Sequence, residues 1–220
     1  MNALLYNVDP DGLLEYSVVY TDRSLNHMSQ LFQGVVQNIS STLKTVYNAQ
    51  TAILVPGGGT YAMEAVARQF GAKAKCLVIR NGLFSYRWTQ ILEMGSLPSE
   101  HIVLKARQNV DEAQAPFSPP SIDEVVAKIT AERPDVVFAP HVETSAGMML
   151  PDSYIQAVGK AVHDVGGLFV LDCIASGTVW VDMEANNVDV LISAPQKGWS
   201  GPPCAGFVML NDRATKRLET

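Results

Sequence analysis

The stretch "TAILVPGGGTYAMEAVARQFGAKAKCLVIR", residues 51–80, carries the pattern that organises the chain. An apolar, β-branched run (51–56) breaks at three glycines, a segment of helical period follows to Gly71, and a second apolar run begins at Lys75. Runs that are apolar throughout suit strands covered on both faces, and the segment between them has the period of a helix crossing over a sheet. The same rhythm continues. Further runs are "HIVLKA" (101–106), "DVVFAPHV" (135–142), "GLFVLDCIA" (167–175), "DVLISA" (189–194) and "AGFVML" (205–210). Between them lie "FSYRWTQILEMG" (84–95), "SIDEVVAKITAERP" (121–134) and "DSYIQAVGKAVHDVGG" (152–167). This alternation predicts an α/β domain with a mostly parallel sheet of about seven strands and helices on both faces.

Local signals mark some boundaries. Ser121 with Glu124 three residues later reads as a capping box, and Gly71 and Gly166 stand where helices should stop. "QNVDEAQAPFSPPS" (108–121) reads as a surface loop, and "MSQLFQGVVQNISSTLKTVY" (28–47) as a helix. Before it lies a polar, irregular arm, residues 1–26.

Composition excludes several classes of function. With 220 residues, 47% of them hydrophobic and 17% charged, the chain can bury one sizeable core. Sixteen basic against 22 acidic residues give a net charge of −6, and no Arg-rich stripe offers itself to nucleic acid. No apolar run is long enough to span a bilayer, and "MNALLYNVDPDG" has no basic region leading into an apolar one, so a cytoplasmic protein is expected. Cys76, Cys173 and Cys204 are odd in number and have no CxxC spacing. They indicate neither a disulfide framework nor a metal site, and they fit a reducing compartment.

In parallel α/β sheets, ligands sit beyond the carboxyl ends of the strands. Those ends read "PGGGT" (56–60), "NGLFSYR" (81–87), "HVETSAG" (141–147), "DCIAS" (172–176) and "QKGW" (196–199). Each has a plain reading when taken alone. "PGGGT" offers backbone N–H groups to an anion at a helix N-terminus, but it serves equally as a tight turn. It is neither a P-loop nor a GxGxxG dinucleotide motif. Asp172, at the mouth of an apolar strand, needs a cation or several donors if ionised, unless it caps a turn. Phe84 alone would be core, His141 is equally a partner of backbone carbonyls, and Lys197 alone would be a solvated loop lysine. Their collection on one edge of the sheet is the informative observation.

Together "PGGGTYAMEA", "NGLFSYR", "HVETSAG", "VLDCIAS" and "SAPQKGW" resemble the class V pyridoxal-phosphate aminotransferases, nearest to the alanine/serine–glyoxylate (or pyruvate) group. The likeness runs from about His27 to the end, and the Asp and Lys motifs, 25 residues apart, are its most specific part. It implies a fold-type I large domain over residues 27–220 that binds pyridoxal 5′-phosphate.

The roles it implies are these. Lys197 forms the Schiff base with the cofactor aldehyde and then moves a proton from the substrate Cα. Asp172 faces the ring nitrogen, Phe84 stacks on the ring where the family commonly has Trp, and Ile174 packs on the opposite face. Thr144 contacts the ring, while Gln196, Gly58, Gly59 and Thr60 hold the phosphate. To be nucleophilic, Lys197 should be desolvated. The resemblance further implies a homodimer with its sites between subunits, the arm crossing onto the partner.

The expected reaction is amino transfer from alanine or serine to glyoxylate or pyruvate, with aminoethylphosphonate as the alternative donor. A cysteine desulfurase-like lyase and a non-catalytic module of the same fold are the other readings. The family continues into a small C-terminal domain bearing the arginine for the substrate carboxylate. That domain is absent from this sequence, so a fragment, or a chain completed by another, is expected. The arm also departs from the family's usual proline-glycine-proline opening.

Overall fold

The computed structural model describes residues 30–218. The arm predicted over residues 1–26 and its crossing onto a partner lie outside them. The chain divides into two units at Leu43/Lys44. Helix α1 (Gln30–Tyr47) begins in the first unit and ends in the second, which holds the remaining elements.

All seven apolar runs form strands of one sheet. They are β1 (Thr51–Pro56), β2 (Lys75–Arg80), β3 (Glu100–Lys105), β4 (Val136–Pro140), β5 (Leu168–Asp172), β6 (Val190–Ser193) and β7 (Ala205–Leu210). Their order is β1-β7-β6-β5-β4-β2-β3. Parallel pairing runs from β6 to β3, whereas β7 is antiparallel to both β6 and β1. The departure from parallel has a simple cause. No helix separates β6 from β7, so the chain turns back through residues 194–204 instead of crossing over the sheet.

The helices are α2 (Gly59–Gly71), α3 (Leu83–Met94), α4 (Ile122–Glu132), α5 (Asp152–Asp164) and α6 (Asp212–Leu218). Because strand side chains alternate, Val136 and Phe138 of β4 face the cluster built by α2 and α3, while Val137 and Ala139 face the other side, where α4 and α5 pack. Phe138 meets Trp88 of α3 at 4.6 Å between ring centroids. Strands β4 to β6 are buried throughout, whereas β1, at the sheet edge, is only partly covered.

The local signals fare unequally. Gly71 ends α2, and Gly166, at φ +85°, follows α5. Ser121 caps α4, its Oγ accepting from Glu124 N at 3.2 Å. The reciprocal half of the capping box is missing, because the Glu124 carboxylate is held by Arg107 at 2.6 and 2.9 Å. Within the segment read as a loop, Phe117–Ser118 pairs with Arg107–Gln108 in a short ribbon. No described helix is long and apolar enough to cross a membrane.

Candidate active site

The carboxyl ends of β1, β2, β4, β5 and β6 converge on a cavity of about 280 Å³. Eight of the nine residues expected at the site line it: Gly59, Thr60, Phe84, Thr144, Asp172, Ile174, Gln196 and Lys197. Gly58 stays outside the lining. It is the N-cap of α2, and its carbonyl is taken by the N–H groups of Tyr61 and Ala62, so the cradle begins one residue later. Gly59 permits a close approach there, since a Cβ would lie 2.7 Å from Ile174 Cδ1. No side chain caps α2, so its first N–H groups and positive dipole end face the cavity.

Asp172 ends β5 and is almost fully buried. Among the described residues its carboxylate has one hydrogen bond, from Ile174 N to Oδ1 at 3.0 Å. Burial pushes its pKa up to about 6, with Glu143 adding to the rise, while the Ile174 bond and the Arg87 charge pull the other way. A buried carboxylate with a single donor is short of partners, and it lines a cavity from which one could come.

Helix α3 brings in Phe84 and, three residues on and therefore on the same face, Arg87. Its N-terminus is capped from far away in sequence. Glu143 accepts from Phe84 N (3.1 Å), Ser85 N (2.8 Å), Ser85 Oγ (2.6 Å) and Ser145 Oγ (2.6 Å). Ser145 Oγ in turn accepts from Leu83 N at 2.9 Å. Burial alone would raise Glu143, but these hydrogen bonds outweigh it and hold the carboxyl below its ordinary value. Gly82 is needed here, because a Cβ would meet Glu143 Cγ at 2.7 Å.

Lys197 stands in the turn after β6, exposed at the cavity, with no partner for Nζ among the described residues. The desolvated setting expected for it is not what this structure has, since the turn stands at the cavity rim. The turn itself is anchored. Two residues on, Trp199 Nε1 donates to Tyr47 Oη (3.3 Å), which donates to Ser193 Oγ at the end of β6 (3.1 Å). Trp180 packs on both rings, with centroids 4.7 Å from Trp199 and 5.9 Å from Tyr47.

Met63, Arg87, Val142 and Ala175 also line the cavity without having been singled out in the sequence. Helical spacing from Phe84 was the available signal for Arg87, as was the distance of one turn from Gly59 for Met63. Glu143 escaped because its role depends on helix α3, nearly sixty residues away. His141 proves structural: it is buried, its Nδ1 is 2.7 Å from Ser176 Oγ, and burial lowers its pKa.

Burial pushes the Cys76 thiol up to about 12 and raises Cys173 as well. Cys204, directly before β7, is exposed and outside the cavity lining. No cysteine is therefore positioned as a nucleophile in this cavity. Among the described residues no group of three His, Cys, Asp or Glu could hold a metal ion. A wider hollow of about 400 Å³, lined by His163, Asn211 and Arg213, lies at the amino ends of the strands, and the buried acid these three contact, Asp189, is already satisfied.

No family model matches the chain. The chain is 28% identical over 187 residues to a bifunctional phosphonoacetaldehyde hydrolase/aminoethylphosphonate transaminase of Clostridioides difficile, covering 83% of this chain and 27% of that protein. It is 30% identical over 187 residues to the 2-aminoethylphosphonate–pyruvate transaminase of Salmonella typhimurium, covering 82% and 47%. Among solved structures, the alanine–glyoxylate aminotransferase of a Nostoc species superposes with a TM-score of 0.75 at 26% identity, over 89% of this chain and 49% of that one. Relatives of this chain thus include 2-aminoethylphosphonate–pyruvate transaminases, and its structural neighbours include aminotransferases. The chain spans at most about half the length of each of these proteins.

Proposed function

We propose that this chain carries the cofactor-binding domain, residues 27–220, of a pyridoxal-phosphate aminotransferase. The reaction proposed is transfer of an amino group from alanine or serine to glyoxylate or pyruvate. The observation that carries the reading is the meeting, in one cavity, of a buried carboxylate short of donors (Asp172), an unpaired amine (Lys197) and an uncapped helix N-terminus (Gly59, Thr60). These fit the three polar features of pyridoxal phosphate, its ring nitrogen, its aldehyde and its phosphate. The volume of about 280 Å³ lies near the lower end of small-ligand cavities.

When bound, the cofactor supplies an aldehyde that condenses with amines and a ring that accepts the electrons left by the substrate Cα–H bond. The remaining work falls to the chain. Asp172 holds a proton on the ring nitrogen, an ion pair that answers its own unmet need for a donor. Lys197 Nζ would hold the cofactor and, once released from it, would move the substrate Cα proton. The α2 N-terminus, Thr60 and Gln196 would hold the phosphate, Phe84 and Ile174 would offer the ring apolar surface, and Thr144 would contact it.

Two further parts belong to the proposal. The enzyme acts as a homodimer, with the arm before His27 crossing to the partner and a small domain supplying the carboxylate arginine. The exposed Tyr61, Leu83 and Phe84, beside the cavity, support a covering subunit. Residence in the cytoplasm is supported by three free thiols.

A second reading of the donor rests on the relatives that are named aminoethylphosphonate transaminases, at 28–30% identity. One experiment addresses both. The full-length chain is loaded with cofactor, reduced with borohydride and mapped by peptide mass, and the unreduced protein is mixed with alanine, serine and aminoethylphosphonate in turn while the cofactor absorbance is followed. A pyridoxyl adduct on Lys197 and bleaching by alanine or serine are expected. An adduct elsewhere or on no residue, or bleaching by none of the three, would end the proposal, and bleaching by aminoethylphosphonate alone would move it to the second donor.

A further inference from the structure

We infer that Arg87 reads the phosphate of the cofactor, with Thr60 as its positioned companion, an inference that rests on the aminotransferase reading above. Arg87 Nη1 donates to Thr60 Oγ1 at 2.8 Å across 27 residues of sequence. Since the Thr60 oxygen accepts from the guanidinium, its own proton is turned away and is left to donate, and the described residues provide no acceptor for it. Thr60 stands in the first turn of α2, beside the N–H groups of Gly59 and Thr60 that no side chain caps. Hydroxyl, backbone N–H groups, dipole and guanidinium thus gather at one end of the cavity.

Charge balance points the same way. A phosphate monoester brings a charge of about −1.5 to −2 at neutral pH. The cations lining the cavity, among the described residues, are Arg87 and Lys197. The lysine has to be neutral to act as a nucleophile, so the balancing charge falls to Arg87. A guanidinium suits the place because one N–H can stay on Thr60 while others meet a second oxygen acceptor, which a lysine at this position could do only as a point charge. Nearby Arg80 is engaged elsewhere, lying 4.8 Å over the Tyr86 ring. The same cation also pulls against the rise that burial imposes on Asp172.

The test compares two probes that differ in one group. Pyridoxal phosphate and pyridoxal share ring and aldehyde, and only the first carries phosphate. Their dissociation constants are measured by equilibrium dialysis on the full-length chain, wild type, R87Q, R87K, T60V and the R87Q/T60V double variant, with circular-dichroism melts reporting folding. R87Q should weaken pyridoxal phosphate about tenfold to a hundredfold, the range of a lost charge-assisted hydrogen bond, and leave pyridoxal at the wild-type value. R87K should recover part of the loss, and the double variant should lose less than the product of the single losses. Equal weakening of both probes would overturn the inference in favour of a structural role. Unchanged phosphate binding in R87Q with poorer saturation by alanine would overturn it in favour of the substrate carboxylate. A wild type that takes up neither probe would overturn the aminotransferase reading itself.

Discussion

Asp172 is a carboxylate that the folded, cofactor-free chain holds against its preference for water. Burial raises it to about 6 from the usual 3.8, so the folded chain binds more protons than the unfolded one between those values, and stability falls as pH rises through that window. Above it the loss is complete. Asp172→Asn, of similar shape but uncharged, should therefore stabilise the cofactor-free chain at pH 8 by on the order of 1–3 kcal/mol, with the difference vanishing near pH 3. Urea unfolding at the two pH values checks this, and equal stabilities at pH 8 would mean that Asp172 has a donor unaccounted for. With cofactor bound the sign should reverse, because Asn cannot balance a protonated ring nitrogen. Lys197 makes a contrast. Being exposed and unpaired, it should tolerate Lys197→Arg within about 0.5 kcal/mol, yet the variant should lose most of the thermal shift that saturating pyridoxal phosphate gives the wild type.

Helix α3 owes its position to a carboxylate supplied by another element. Glu143→Ala should leave the amides of Phe84 and Ser85 and the Ser145 hydroxyl without their acceptor, at a cost of about 3 kcal/mol in thermal or chemical unfolding. Since hydrogen bonding holds Glu143 below its ordinary value, this contribution is present above the usual carboxylate range and is lost as pH falls through the depressed value. Phe84 and Arg87 ride on the same helix, so cofactor affinity should fall with stability. At the opposite ends of the strands, Asp189 accepts from Phe169 N, Asn211, Arg213 and His163. Asp189→Ala should cost about 3–5 kcal/mol in unfolding while leaving the cofactor affinity of the folded fraction intact. A parallel fall in affinity would mean that the two edges of the sheet are coupled.

The seven-stranded sheet presents its functional residues from one edge, and large apolar side chains next in sequence to the cavity-lining Thr60 and Phe84 are exposed, Tyr61 at 64% and Leu83 at 67%. Such exposure beside a cavity is what a covering surface would remove, and dimers are the commonest closed assemblies. Light scattering of the full-length protein at micromolar concentration should report twice the chain mass. A monomer there would leave the proposed shared site without its second half.

The seven strands and the residues at their tips were legible in the sequence because both are properties of short segments. An apolar run announces a covered strand, and whatever follows its last residue must stand at the sheet edge where ligands bind. Lys197, Asp172, Thr144 and the Gly59–Thr60 turn could be found in this way with no knowledge of what packs on what. The direction of β7, the cap that Glu143 places on α3, the Arg87–Thr60 bond and the Tyr47–Trp199 anchor could not. The last three join segments that are distant in sequence, from 27 residues for Arg87 and Thr60 to 152 for Tyr47 and Trp199, and no local period records such a meeting, while β7 turns back because its connection to β6 holds no helix. Packing decides them, because only when α3 lies against β4 do a buried carboxylate and three donors of α3 come within 3.1 Å of one another.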